Sequence, residues 1–137
     1  MPDDDPSGFA LRWMQAARAD LHTAHLILGD ADAEWLHAGF HAQQAVEKGF
    51  KAAAAFLLGL EPPRTHDLVA LRRMLPTTWS VQDGHESLSR LTVWVTLGRY
   101  PDVLPDEDLQ SPREAVDLAD AILDALSVDL RRAGLDI

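Results

Sequence analysis

Phe40-His41-Ala42-Gln43-Gln44-Ala45-Val46-Glu47-Lys48-Gly49-Phe50-Lys51 changes its chemistry with the period of a helix. At about 100° per residue, His37, His41, Gln44, Lys48 and Lys51 fall on one stripe, with Glu47 at its margin. Ala38, Ala42, Ala45, Val46, Gly49, Ala53, Phe56 and Leu57 fall on the opposite side. The segment therefore reads as the middle of one long helix. Its apolar face is made largely of small side chains, which lets a second helix approach closely. Its polar stripe mixes donors, acceptors and both signs of charge, and faces either water or a site.

Working outward, the same periodicity recurs on both sides. Leu11, Met14, Ala17, Leu21, Ala24 and Leu28 alternate in threes and fours, which predicts a first helix from about Gly8 to a stop at Gly29. Asp30 or Asp32 is the expected cap of the long second helix, which ends at Gly59 before Pro62-Pro63. Thr65 is the expected cap of a short third helix carrying Leu68, Leu71 and Leu75, with His66 in its first turn. A fourth helix is expected from His85 through Leu88, Leu91 and Val95 to Gly98-Arg99-Tyr100-Pro101. Ser111, Pro112 and Glu114 form a capping box for a fifth, with Ala115, Leu118, Ile122, Leu126 and Leu130 inward and an end near Gly134. No strand-like alternation interrupts this pattern. The fold expected is all-α, a five-helix antiparallel up-and-down bundle over residues 10–134, behind a disordered lead-in at 1–9.

Composition narrows the function classes. A chain of 137 residues supports one core rather than two. Its net charge of −10 opposes non-specific DNA or RNA binding, which depends on neutralising phosphates. No apolar run reaches the roughly 18 residues that span a bilayer, and the acidic Met1-Pro2-Asp3-Asp4-Asp5-Pro6 start lacks the basic region of a secretory signal. A cytoplasmic protein is expected, without membrane contact. The absence of cysteine removes disulfides and thiolate metal sites. His37 with His41, and His22 with His25, are each close on a helix face, yet neither pair sits in a recognised metal motif, so no metal and no cofactor are expected.

Three segments, taken together and in order, carry a resemblance: Phe40-His41-Ala42-Gln43-Gln44-Ala45-Val46-Glu47-Lys48, then Pro62-Pro63-Arg64-Thr65-His66-Asp67-Leu68, then Arg99-Tyr100-Pro101-Asp102. Over residues 10 to 132 the chain resembles the HEPN domain family of prokaryotes. That resemblance implies a helical bundle, frequently a homodimer, associated with nucleotide binding or with a minimal nucleotidyltransferase partner in toxin–antitoxin-like pairs. Many HEPN proteins are metal-independent endoribonucleases that use an arginine followed four to six residues later by a histidine in the later helices. In such chemistry histidine moves a proton near neutral pH, and arginine holds the phosphate and its developing charge. Here Arg99 is followed by no histidine through Asp106, and Arg90 and Arg113 fail the same test. Arg18 and His25 are seven apart, but on the first helix.

Three readings of the polar residues stay open. In the first, His41, Gln44, Lys48, His66, Arg99 and Tyr100 bind a nucleotide or RNA end, backed by a polar network of Gln43, Glu47, Thr65 and Asp102. Arg99 and Lys48 meet phosphate, His41 and Gln44 hydrogen-bond the ligand, and Tyr100 stacks on a base. In the second, His66 or His41 replaces the missing histidine of an endoribonuclease. In the third, the chain is a non-catalytic interaction module, Arg99 pairs with an acid such as Glu47 or Asp102, and the polar cluster only specifies packing.

Overall fold

A computed structural model describes residues 5–59, 61, 64–84, 88–100, 102 and 110–137; of Gly98 and Arg99 it describes the backbone alone. The described residues form helices α1 (Pro6–Leu28), α2 (Trp35–Leu58), α3 (Leu68–Arg73), α4 (Leu88–Leu91), α5 (Val93–Arg99) and α6 (Pro112–Arg132), with a 3-10 turn at Ser80–Gln82. No strand occurs among them, and none of their helices is long and apolar enough to cross a membrane.

Side-chain caps set the starts of α1, α3 and α6. The Asp5 carboxylate accepts from the Ser7 amide and Pro6 opens the first turn, so α1 begins inside the expected lead-in. Neither Asp30 nor Asp32 caps α2: its cap position is Glu34, whose side chain makes no capping bond. Asp30 instead closes a local turn, accepting from the Asp32 amide at 2.9 Å. Asp67, not Thr65, caps α3, because its carboxylate reaches two free amides, those of Val69 and Ala70. His66 consequently precedes the helix rather than lying in its first turn. Ser111 caps α6 as expected, accepting from the Glu114 amide.

The expected fourth helix is broken. Leu88–Leu91 and Val93–Arg99 meet at Thr92, where the Val95 amide bonds back to the Thr92 carbonyl in a tight turn. Thr92, Val93, Val95 and Thr96 are β-branched and crowd a continuous helix. His85, the expected start, lies outside the described residues, as do Pro62, Pro63 and Pro101.

Helix α2 is the axis of the bundle and touches each of the other five helices. From Ala38 to Ala55 only Phe40, His41, Gln44 and Lys48 are partly exposed. The small-residue face explains how. Any Cβ at Gly39 would collide with the Trp94 indole of α5, and one at Gly49 would press on Leu123 and Leu126 of α6. Phe50, Trp94, Ile122, Leu126 and Leu130 are thereby almost fully buried, each contributing roughly 1.5–3 kcal/mol of transfer free energy. Contacts of Trp13 with Lys51 and Asp20 with His41, and of Arg18 with Ser127 and His25 with Asp120, show α1 running antiparallel to both α2 and α6.

Candidate functional site

The polar stripe of α2 is divided between two acids, one half-buried and one buried. Asp20, delivered by α1, accepts from His41 Nδ1 at 2.8 Å and from Lys48 Nζ at 2.5 Å. Glu47, on α2 itself, accepts from Gln43 Nε2 at 3.1 Å, Lys51 Nζ at 3.1 Å and His66 Nδ1 at 2.7 Å. Gln44 extends this second group by donating to Gln43 Oε1 at 2.7 Å. Lys51 also lies 5.8 Å above the Trp13 ring of α1, a cation–π arrangement that helps hold a buried ammonium.

Burial and bonding act on Glu47 in opposite directions. Its side chain is 5% exposed, and loss of water pushes its carboxyl up; the hydrogen bonds from His66, Gln43 and Lys51, with the Lys51 charge, outweigh that and hold it below its ordinary value of 4.5. Glu47 is therefore an anion in a dry place, fixed by three donors from two elements. The His66 ring is 48% exposed. With Nδ1–H committed to Glu47, the remaining Nε2 is available to a ligand or a proton.

These contacts gather His41 with Lys48, and Gln43, Gln44, Glu47 and His66 with one another. The other expected residues stand differently. Thr65 Oγ1 accepts from the Asp67 amide and makes a turn into α3. Tyr100 ends α5 with its ring exposed, and Asp102 is exposed in a turn; no hydrogen bond among the described residues joins either to the cluster. The Arg99 side chain lies outside the described residues, so its expected pairing with Glu47 or Asp102 does too. His37 is exposed at the start of the stripe. No group of three or more histidines and carboxylates gathers as a metal-ligand set among the described residues.

Asp20 and Lys51 were the weaker signals in the sequence. Asp20 sits in the polar run Arg18-Ala19-Asp20 of a surface helix and looks solvated there. Only its register one helix turn from Ala17 and Ala24 hints that it points at the α1–α2 boundary.

The HEPN domain family matches residues 10–129. The chain belongs to that family. No curated protein and no solved structure matches it significantly. Membership accounts for the helical bundle and for the order of the three segments that carry the resemblance. In this HEPN chain the second segment brings His66 onto the first segment's Glu47.

Proposed function

We propose that this HEPN protein is a nucleotide- or RNA-end-binding module, homodimeric, that acts beside a minimal nucleotidyltransferase in a toxin–antitoxin-like pair. The observation that carries the ligand site is His66: half-exposed, oriented through Nδ1 by buried Glu47, with Nε2 left over. The charge arrangement leaves the two imidazoles to meet the ligand. Asp20 and Glu47 balance Lys48 and Lys51, so the net charge of the cluster is set by His41 and His66. Their Nε2 atoms are the polar groups left to meet a phosphate. Arg99 and Tyr100 complete the ligand's surroundings in this reading, the first on phosphate and the second against a base.

Calorimetric titration with ATP, GTP and a short RNA tests it. Binding is expected to weaken about tenfold in His66→Ala, the loss of one charge-assisted hydrogen bond. Unchanged binding in Arg99→Ala removes Arg99 from the site, and unchanged binding in both variants removes the site. Sedimentation of the purified chain tests the homodimer, and co-expression with a nucleotidyltransferase tests the partnership.

The Glu47–His66 pair also favours a second reading, an endoribonuclease. A histidine oriented by a buried carboxylate is a standard arrangement for a general base, and here it stands in for the histidine missing after Arg99. Incubation of the protein with RNA, compared with His66→Ala, decides it: cleavage equal in the two proteins excludes His66.

A further inference from the structure

At the N-terminal ends of α2 and α6 the surface is cut by a cleft of about 700 Å³, whose lining includes Asp32, Glu34, Trp35, Trp94 and Gln110. A second cleft of about 260 Å³ shares Ala31, Trp35, Ser111 and Pro112 with it and continues past Ile27 and Asp30. Trp35 stands between the two. Its side chain is 68% exposed, more than any other large apolar residue described. An indole placed so openly on a ridge between two clefts contributes nothing to the core; it offers a flat apolar platform to whatever lies across it.

Gln110 supplies a second, independent feature. It is 2% exposed, and its Oε1 accepts from Trp94 Nε1 at 3.3 Å. An indole N–H is a donor only, so this bond fixes which way the carboxamide faces. Its amino group then has no hydrogen-bond partner among the described residues. No buried polar atom is left unsatisfied among them, so that amino group is not sealed from solvent, and Gln110 lines the cleft. A nearly buried residue thus presents one unused donor. The first turn of α2 adds to it, since Glu34 makes no side-chain cap to the amides there.

Charge selects the occupant. Asp30, Asp32 and Glu34 are exposed along the two clefts, and Arg113 is the sole base lining either. Carboxylates at this density repel phosphate and attract lysine or arginine. The elongated shape, running on both sides of Trp35, suits a stretch of chain better than a compact molecule. We propose that the double cleft docks an extended, cationic segment of a partner protein. An apolar side chain of the segment covers the Trp35 ring, a backbone carbonyl accepts from the Gln110 amino group, and flanking basic side chains meet Asp30, Asp32 and Glu34. This site is separate from the Glu47 cluster and stands without the nucleotide reading.

The test titrates the full chain with a short synthetic peptide alternating leucine and lysine, beside a lysine-only peptide of equal charge. The leucine–lysine peptide is expected to bind, with affinity at least about tenfold weaker in Trp35→Ala, as befits a central aromatic anchor. Trp35 is exposed, so an unchanged melting temperature confirms that the variant folds. Asp32→Asn with Glu34→Gln should remove much of the salt dependence, whereas Asp136→Asn, at the other end of the chain, should change nothing. Equal affinity of wild type and Trp35→Ala, or equally tight binding of the lysine-only peptide, overturns the proposal: the net charge of −10 alone then accounts for the attraction.

Discussion

Glu47 and Asp129 are both almost fully buried carboxylates on long helices, yet they are satisfied by different kinds of donor. Asp129 accepts from the Ser80 amide at 3.0 Å, the Ser80 hydroxyl at 2.9 Å and the Val81 amide at 3.1 Å. None of these donors titrates, and two are backbone. Glu47 accepts from an ammonium, an imidazole and a carboxamide, and the imidazole reaches solvent. The difference separates a fastener from a responsive group. Asp129 pins the 3-10 turn to α6 through donors of fixed charge. Glu47 is bonded to charged and polar side chains, one of which, His66, has its ring half open to solvent.

The largest effect expected from this contrast is at Asp129. Replacing it with alanine strands the Ser80 and Val81 amides at the α6 contact, and losing several hydrogen bonds to a charged acceptor should destabilise the fold by roughly 3 kcal/mol or more. Asp129→Asn keeps an acceptor and should recover part of that loss. Denaturant unfolding measures both, and equal stabilities of Asp129→Ala and wild type would show that the turn is held by Val81 packing alone. Glu47→Gln is the next step down. It preserves shape and hydrogen-bonding capacity but leaves the Lys51 ammonium buried without its counter-charge, an effect on the order of 1–2 kcal/mol after relaxation of the lysine toward Trp13.

Glu47 also predicts a pH signature. Glu47's carboxyl is held below its ordinary value of 4.5 in the folded protein, so between those two values the unfolded chain takes up a proton that the folded one refuses. The stability contributed by ionised Glu47 is therefore complete above the ordinary carboxylate range and is lost as pH falls through the lowered folded value. Melting temperatures of wild type and Glu47→Gln, followed from neutral pH downward, should converge in that acid window. A gap that stays constant through it would mean that Glu47 is not the group being titrated.

How much of this could be read from the sequence depended on the range of each interaction. Ser111-Pro112 announced the start of α6 because a cap acts over three residues, and Gly49 and the alanines of α2 announced close packing because their period is local. Glu47 with Gln43 was legible as part of one polar network for the same reason, the two lying one turn apart on the helix. Asp20 and Asp129 were not. Each looks like part of a solvated helix face until a partner 21 to 49 residues away is folded against it, and an aspartate that fastens two elements has the same local spacing as one facing water. The Asp67 cap was hidden by Thr65, an equally suitable residue two positions earlier. The break at Thr92 was hidden because Leu88, Leu91 and Val95 keep a helical period across it.

The smallest effect on stability, and the most informative on function, is expected at His66. Its ring is half in water, and the solvent screens the pair it makes with Glu47, so His66→Ala should change unfolding free energy by no more than about 1 kcal/mol. Glu47 keeps Lys51 and Gln43 in the variant, so the fold has no reason to collapse. Ligand binding should respond in the opposite proportion, because His66 carries the open nitrogen of the cluster. His66→Gln sharpens the point: glutamine restores a donor to Glu47 but cannot acquire a positive charge. If ATP affinity at low pH falls in both variants while melting temperature barely moves, Glu47 and His66 form a binding pair. If His66→Gln behaves as wild type at every pH, the imidazole's charge has no part in binding, and Glu47 is a fastener of the same kind as Asp129.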